Sequence, residues 1–219
     1  MPTLDDITSD LLVRGFAGFE SDGDAALEEL AEALGGLAGA RLHRSELVPR
    51  ASGSGTGISL SQRAGFGAFE AHTDGANLRV PPRWSVMRLQ PGARTDVPTH
   101  LWDLWALPLS PERVEVLRRA MFTVRGGARP FYTSILREIG GVSLVRFNRT
   151  CMTPLTHAGA VAAEDLVMSL FSRRPIAHEW TPCSGLVFDN WRMIHARPAV
   201  DEDTAPDRRL ERILVGGQP

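Results

Sequence analysis

Glu70-Ala71-His72-Thr73-Asp74-Gly75, set beside Asp189-Asn190-Trp191-Arg192-Met193-Ile194-His195-Ala196-Arg197 far downstream, decides how this chain is understood. Side chains alternate faces along extended backbone, so His72 and Asp74, two apart, point the same way and can hold one ion. A further donor must come from a neighbouring strand, and His195 ends a plausible one. Two imidazoles and one carboxylate make a donor set that leaves three positions of an octahedral ion open. A lone His-x-Asp is common by chance; its weight here comes from what surrounds it.

Working outward, the 219 residues suffice for one domain, 1–219, with a core that needs neither disulfides nor a structural metal. A formal charge of −2 argues against nucleic acid or an anionic membrane as partner. All 24 basic residues are arginine, so lysine Schiff bases, P-loop lysines and lysine carboxylate clamps are excluded. Cys151 and Cys183 are too far apart in sequence for a CxxC site, which reads as a cytoplasmic enzyme with free thiols. The N-terminus carries Asp5 and Asp6 rather than a basic region before an apolar stretch, so no leader is expected, and no apolar run reaches membrane-spanning length.

Periodicity predicts a helix over Ser21 to Gly36, with Leu27, Leu30, Ala31 and Leu34 on one face. Leu11 to Phe16 reads as a short strand with a turn. A second helix opens at Ser110-Pro111-Glu112, with Val114, Leu117 and Met121 as its buried stripe. A third runs from about Ala162 to Arg173, with Leu166, Val167, Leu170 and Phe171 inward. Strands are expected over Trp84 to Leu89, Ile176 to Trp180, Gly185 to Phe188, Arg192 to His195 and Arg208 to Val215. Many short strands with few helices suggest a mainly β, double-stranded β-helix (jelly-roll, cupin-like) core with peripheral helices. The glycine- and serine-rich stretch Ser52 to Gly57 reads as a mobile loop, either a plain connector or a substrate lid.

These residues, with Pro98-Thr99-His100-Leu101-Trp102-Asp103 and Asp207-Arg208-Arg209-Leu210-Glu211-Arg212, give a pattern that resembles the TauD/TfdA-like (clavaminate-synthase-like) Fe(II)/2-oxoglutarate oxygenases from about Phe69 to Val215. The resemblance implies that His72, Asp74 and His195 hold iron. It implies that Thr99, 27 residues after His72, contacts the cosubstrate carboxylate. It also implies an arginine clamp on the distal carboxylate of 2-oxoglutarate, for which a planar guanidinium is suited. Arg208, Arg209 and Arg212 are the candidates. Arg208-Arg209-Leu210-Glu211-Arg212 matches the family's Arg-x-Leu-x-Arg pattern, whose first arginine is the clamp, so the resemblance implies Arg208. Alternation in a strand puts Arg212 on the same face as its support and Arg209 on the other.

The expected activity is Fe(II)-, 2-oxoglutarate- and O2-dependent hydroxylation, desaturation or cyclisation at an unactivated C–H bond, with release of succinate and CO2. The substrate expected from the resemblance is a small amino acid or natural-product intermediate. Arg79, Arg146 and Asn148 are candidates for substrate contacts. Asp74 argues against halogenation, since resembling halogenases carry a small residue there. The chain departs from the family in its short segment between Asp74 and His195 and its short N-terminal part, which makes a carrier-bound substrate or a second copy a candidate to complete the pocket. Two other classes stay open: a non-catalytic small-molecule binding barrel with a relic metal site, and a zinc hydrolase on the same triad.

Plainer roles compete at each position. Thr99 is also an ordinary β-branched strand residue. His43, His100, His157 and His178 lack a carboxylate at ligand spacing and read as structural or exposed. Arg197 reads as a loop brace, and Asp189 and Asn190 as a turn fixed by side-chain to backbone bonds.

Overall fold

A computed structural model describes residues 3–20, 23–35, 42–53 and 64–216. Helix α1 (Leu4–Arg14) leads into β1 (Phe16–Glu20), α2 (Asp24–Gly35) and β2 (Leu42–Leu47). Next come β3 (Phe69–His72), β4 (Trp84–Leu89), β5 (Thr99–Asp103) and α3 (Pro111–Arg119). Short strands β6 (Phe122–Val124), β7 (Phe131–Thr133), β8 (Leu136–Ile139), β9 (Val142–Val145) and β10 (Met152–Pro154) precede α4 (His157–Phe171). The chain closes with β11 (Ile176–His178), β12 (Ser184–Asp189), β13 (Met193–Arg197) and β14 (Leu210–Val215).

All strand pairs are antiparallel. A five-stranded sheet runs β1-β12-β4-β14-β2, and a four-stranded sheet runs β11-β5-β13-β3. Alternation along each strand sorts the side chains into three cores. Met87 and Leu89 of β4, Leu186 and Phe188 of β12, Leu101 of β5, Met193 of β13 and Leu210 of β14 share one apolar cluster between the two sheets. Val86, Val187, Ile213 and Val215, on the other face of the larger sheet, pack with Ile7 and Leu11 of α1 and Leu27 and Leu30 of α2. Ala71, Trp102, Ile194 and Ala196, on the outer face of the smaller sheet, join α3, α4 and the strands between them. This is the expected jelly-roll with peripheral helices. Among the described residues, no helix is long and apolar enough to cross a membrane.

The N-terminal reading needs correction. Leu11 to Arg14 form the last turn of a helix, and the strand begins only at Phe16. Thr3 and Asp6 form a capping box, and Ile7 and Leu11, one turn apart, are its buried contacts. Gly15 ends the helix at φ 79°, where a Cβ would lie 2.8 Å from Met193 Sδ. Asp5 and Asp6 therefore belong to a helix N-terminus, where negative charge is favoured.

Helices α3 and α4 start at Ser110 and Thr156 caps, each hydroxyl accepting a backbone N–H three residues on. Their stripes differ from expectation at the ends. Met121 is 40% exposed because α3 stops at Arg119, and Phe171 is 59% exposed because it closes the last turn of α4. Of the Ser52 to Gly57 stretch, 54–57 lie outside the described residues, as do 21, 22 and 36 of the helix expected over Ser21 to Gly36.

Candidate metal centre and cosubstrate cavity

The last residue of β3 and the middle of β13 meet across the smaller sheet, where His72 and His195 are register partners. Their inward alternation puts both rings on the face between the sheets, with centroids 4.2 Å apart. Asp74 follows on the turn after β3. His72 Nε2 lies 3.7 Å from Asp74 Oδ1, and His195 Nε2 lies 3.6 Å from Asp74 Oδ2. Ligand atoms of all three residues fall within 4.8 Å of one another, and all three are buried. Among the described residues this is the one such cluster.

Local contacts hold each donor in place. His72 Nδ1–H donates to the Glu70 carbonyl at 2.8 Å, which leaves the Nε2 lone pair facing Asp74. His195 is packed by the Phe188 ring, with centroids 4.9 Å apart. Burial, reinforced by His72, pushes the His195 imidazole down to about 3, so it is neutral and able to donate a lone pair. Burial works to raise the Asp74 carboxyl, but Arg212, His195 and His72 outweigh it and hold it far below the usual carboxylate range. Arg212 Nη1 donates to Asp74 Oδ1 at 2.6 Å, and Ser85 Oγ donates to Oδ2 at 3.3 Å.

The backbone of Asp74 is fixed as firmly. Asn190, fully buried, accepts the Asp74 N–H at 2.8 Å and donates from Nδ2 to the carbonyls of Asp74 at 3.0 Å and Pro82 at 2.8 Å. One amide thus ties the Asp74 turn to the chain entering β13. Gly75 turns at φ 64°, and a Cβ there would sit 2.6 Å from Pro82 Cδ. Asp189, read with Asn190 as a turn residue, accepts the Trp191 N–H at 2.9 Å. Asn190→Asp keeps the acceptor but turns a carboxylate oxygen toward two carbonyls. Its Mn(II) affinity, read by calorimetry, should fall about 10- to 100-fold, the range for partners that orient metal ligands. Unchanged affinity would reduce Asn190 to a fold residue.

An open cavity adjoins the triad. His72, His195, Thr99, Arg197, Arg208 and Arg212 give its polar lining, while Leu47, Phe69, Met87 and Leu210 give much of the apolar remainder. Arg208 follows a 3-10 turn (Ala205–Asp207) rather than lying within β14, yet it is 4% exposed and reaches the cavity. Its Nε is buried without a hydrogen-bond partner among the described residues. Burial, aided by Arg197, pushes its guanidinium down to about 9. Arg209 is exposed, and Glu211 faces the other way to pair with Arg88 at 2.7 Å.

Arg79, Arg146 and Asn148, expected as substrate contacts, lie outside this cavity lining. Arg146 is fully buried and donates to the carbonyls of Ala76, Leu78 and Arg79, so its guanidinium organises the turn that follows Asp74. Arg79 instead stacks its guanidinium 5.4 Å from the Phe131 ring centre. Asn148 Oδ1 accepts from the Thr150 backbone N–H and hydroxyl, closing a local turn. Arg197 both lines the cavity and braces a loop, donating to the carbonyls of Gly65, Gly67 and Pro198. Sequence reasoning missed Ser85 and Trp180, which lack any motif and are placed only by the pairing of β4 with β14 and of β11 with β5.

No protein-family model matches the chain, and no curated protein matches it by sequence. Solved structures do. AAD-2 in complex with Mn(II) and N-oxalylglycine matches with a TM-score of 0.74 at 12% identity, over 99% of this chain and 89% of that one. PvcB from Pseudomonas aeruginosa, an iron- and 2-oxoglutarate-dependent oxygenase of an isonitrile synthetic pathway, matches at 0.69 and 16% identity over 99% and 83%. The chain has the fold of the iron- and 2-oxoglutarate-dependent oxygenases. Asparagine oxygenase, solved with Fe(II), 3-hydroxyasparagine and succinate, matches at 0.64 and 15% identity over 78% of this chain. The chain spans 56% of the length of that oxygenase.

Proposed function

We propose that the protein, as one domain over 1–219, is a cytoplasmic Fe(II)- and 2-oxoglutarate-dependent oxygenase that hydroxylates an unactivated C–H bond of a small amino acid or natural-product intermediate. One observation carries this reading. The cavity lined by the two histidines beside Asp74 is also lined by a buried arginine, Arg208, whose Nε has no partner among the described residues. A hydrolytic metal site has no need of a second buried cation, whereas a 2-oxo dicarboxylate requires one at its distal end.

His72, Asp74 and His195 would hold Fe(II), since a mixed imidazole and carboxylate set suits that ion. Thr99, Arg208 and Arg212 would receive 2-oxoglutarate, with Arg208 as the distal clamp. When bound, Fe(II) with 2-oxoglutarate and O2 supplies the oxidising power for hydroxylation, with succinate and CO2 as co-products. The chain's own part is positional. Arg212 and Ser85 engage the two Asp74 oxygens and set the plane of the carboxylate. Leu47, Phe69 and Met87 give the cavity an apolar wall that limits water around the reacting C–H bond. The short segment between Asp74 and His195 leaves the mouth to be completed by a carrier-bound substrate or a second copy.

The test is a titration of the Fe(II)-loaded protein with 2-oxoglutarate under nitrogen, followed by succinate analysis in air. A visible charge-transfer band and slow substrate-free succinate formation are expected. A chain that binds Fe(II) but neither binds nor consumes 2-oxoglutarate would be a relic barrel. Zinc-dependent hydrolysis without 2-oxoglutarate turnover would favour the hydrolase.

A further inference from the structure

Thr99 lines the cavity, and its hydroxyl is not free to choose its role. Trp180 Nε1 lies 3.2 Å from Thr99 Oγ1, and both residues are buried, at 6% and 3% exposure. An indole N–H can only donate, whereas a threonine hydroxyl offers one donor and two acceptor lone pairs. Thr99 Oγ1 must therefore accept from Trp180, which reserves its own O–H for an acceptor elsewhere. Arg208, whose buried Nε has no partner among the described residues, lines the same cavity. Among the described residues neither the Thr99 O–H nor the Arg208 Nε has an acceptor, and both residues line the cavity beside the metal-ligand cluster, a lining suited to an anionic oxygen.

We propose that Trp180 is a positioning residue for the cosubstrate: its indole N–H orients the Thr99 hydroxyl as a donor toward the carboxylate bound in this cavity. The inference rests on the oxygenase reading above and deepens it at one atom. The fold supplies the juxtaposition. β11 pairs with β5 so that His178 stands opposite Thr99, and Trp180 follows two residues later. The His178 ring meets the indole edge-on at 4.6 Å and holds it in place. Trp180 also packs into the apolar cluster between the sheets, so its ring has little room to turn.

A double-mutant cycle tests this, with 2-oxoglutarate affinity read from the charge-transfer band of the Fe(II)-loaded protein under nitrogen. Trp180→Phe removes the N–H and keeps a ring, and affinity should fall about three- to tenfold, the worth of one net hydrogen bond. Thr99→Val should cost about tenfold or more, because it removes a donor to a charged acceptor. The double variant should be no worse than Thr99→Val alone, since without the hydroxyl there is nothing left to orient. Thr99→Ser retains the hydroxyl and should restore most of the affinity, but only while Trp180 is present. Affinity for Fe(II) should stay constant throughout. Trp180→Leu repeats the cycle should the phenylalanine variant fail to fold. Penalties that simply multiply, or a Trp180→Phe protein that binds as wild type, would overturn the inference while leaving the oxygenase reading intact. A wild-type chain that binds Fe(II) but no 2-oxo acid would overturn both.

Discussion

Replacing Asp74 by alanine is expected to abolish Fe(II)-dependent turnover of 2-oxoglutarate and to weaken metal binding by more than 100-fold or so, beyond the 10- to 100-fold seen when a partner of a ligand is lost. The carboxylate is the one anionic donor within the cluster, and it is held ionised against burial by Arg212 and the two imidazoles. Its removal leaves two imidazoles beside a guanidinium, a poor site for a dication. Some stability should go as well, because Arg212, with 18% of its side chain exposed, loses its 2.6 Å partner. A penalty of about 1–3 kcal/mol, or a few degrees in Tm, is in keeping with a partly solvated cation left unpaired. Asp74→Asn separates the two effects, since its amide oxygen can still accept from Arg212. That variant should fold nearly as well as wild type and still fail to hold metal. Wild-type Mn(II) affinity by calorimetry in either variant would remove Asp74 from the ligand set.

The face on which each ligand sits was legible in residue order. Period-2 alternation from Met193 to Ala196 puts His195 with Met193 on the inner face and Ile194 with Ala196 on the outer one, as the two apolar clusters have it. The same logic separates Arg212 from Ile213 and survives at Arg208, although the strand itself begins two residues later. The partners that hold the ligands were not legible, because they come from distant segments whose register depends on the assembled sheets. Ser85 reaches Asp74 through the pairing of β4 with β14, and Trp180 reaches Thr99 through β11 and β5.

Where sequence and structure part, one physical cause recurs: a side chain finds a closer partner than the one its chemistry suggests. Arg146 looked like a substrate cation, but three carbonyls of one tight turn lie within its reach. Leu11 to Phe16 looked β-prone by composition, but the Thr3–Asp6 box starts a helix that carries Leu11 inward. Helix ends mislead in the same way. The apolar stripe continues in sequence to Met121 and Phe171 after the backbone has left, or is about to leave, the face that buries it.

The Arg208 side chain sets up the second large effect, and its two readouts should move in opposite directions. Arg208 is buried, it carries a Nε with no partner among the described residues, and burial together with Arg197 pushes it down to about 9. An uncompensated buried cation destabilises the ligand-free fold, and its removal relieves that penalty. Arg208→Gln should thus leave the Tm of the ligand-free protein unchanged or raised. Its affinity for 2-oxoglutarate should fall about 30-fold or more, because a charge-assisted bidentate contact to a desolvated carboxylate is lost. Arg209→Gln, at an exposed position, should alter neither quantity. Arg212→Gln should act differently again: its guanidinium is engaged by Asp74, so Fe(II) affinity should drop together with 2-oxoglutarate affinity. The three variants therefore separate a clamp, a bystander and a ligand brace by their patterns rather than by severity. A destabilised Arg208→Gln protein with normal 2-oxoglutarate binding would make Arg208 a structural cation whose partner lies outside the described residues. Normal binding in all three variants would make 2-oxoglutarate the wrong cosubstrate.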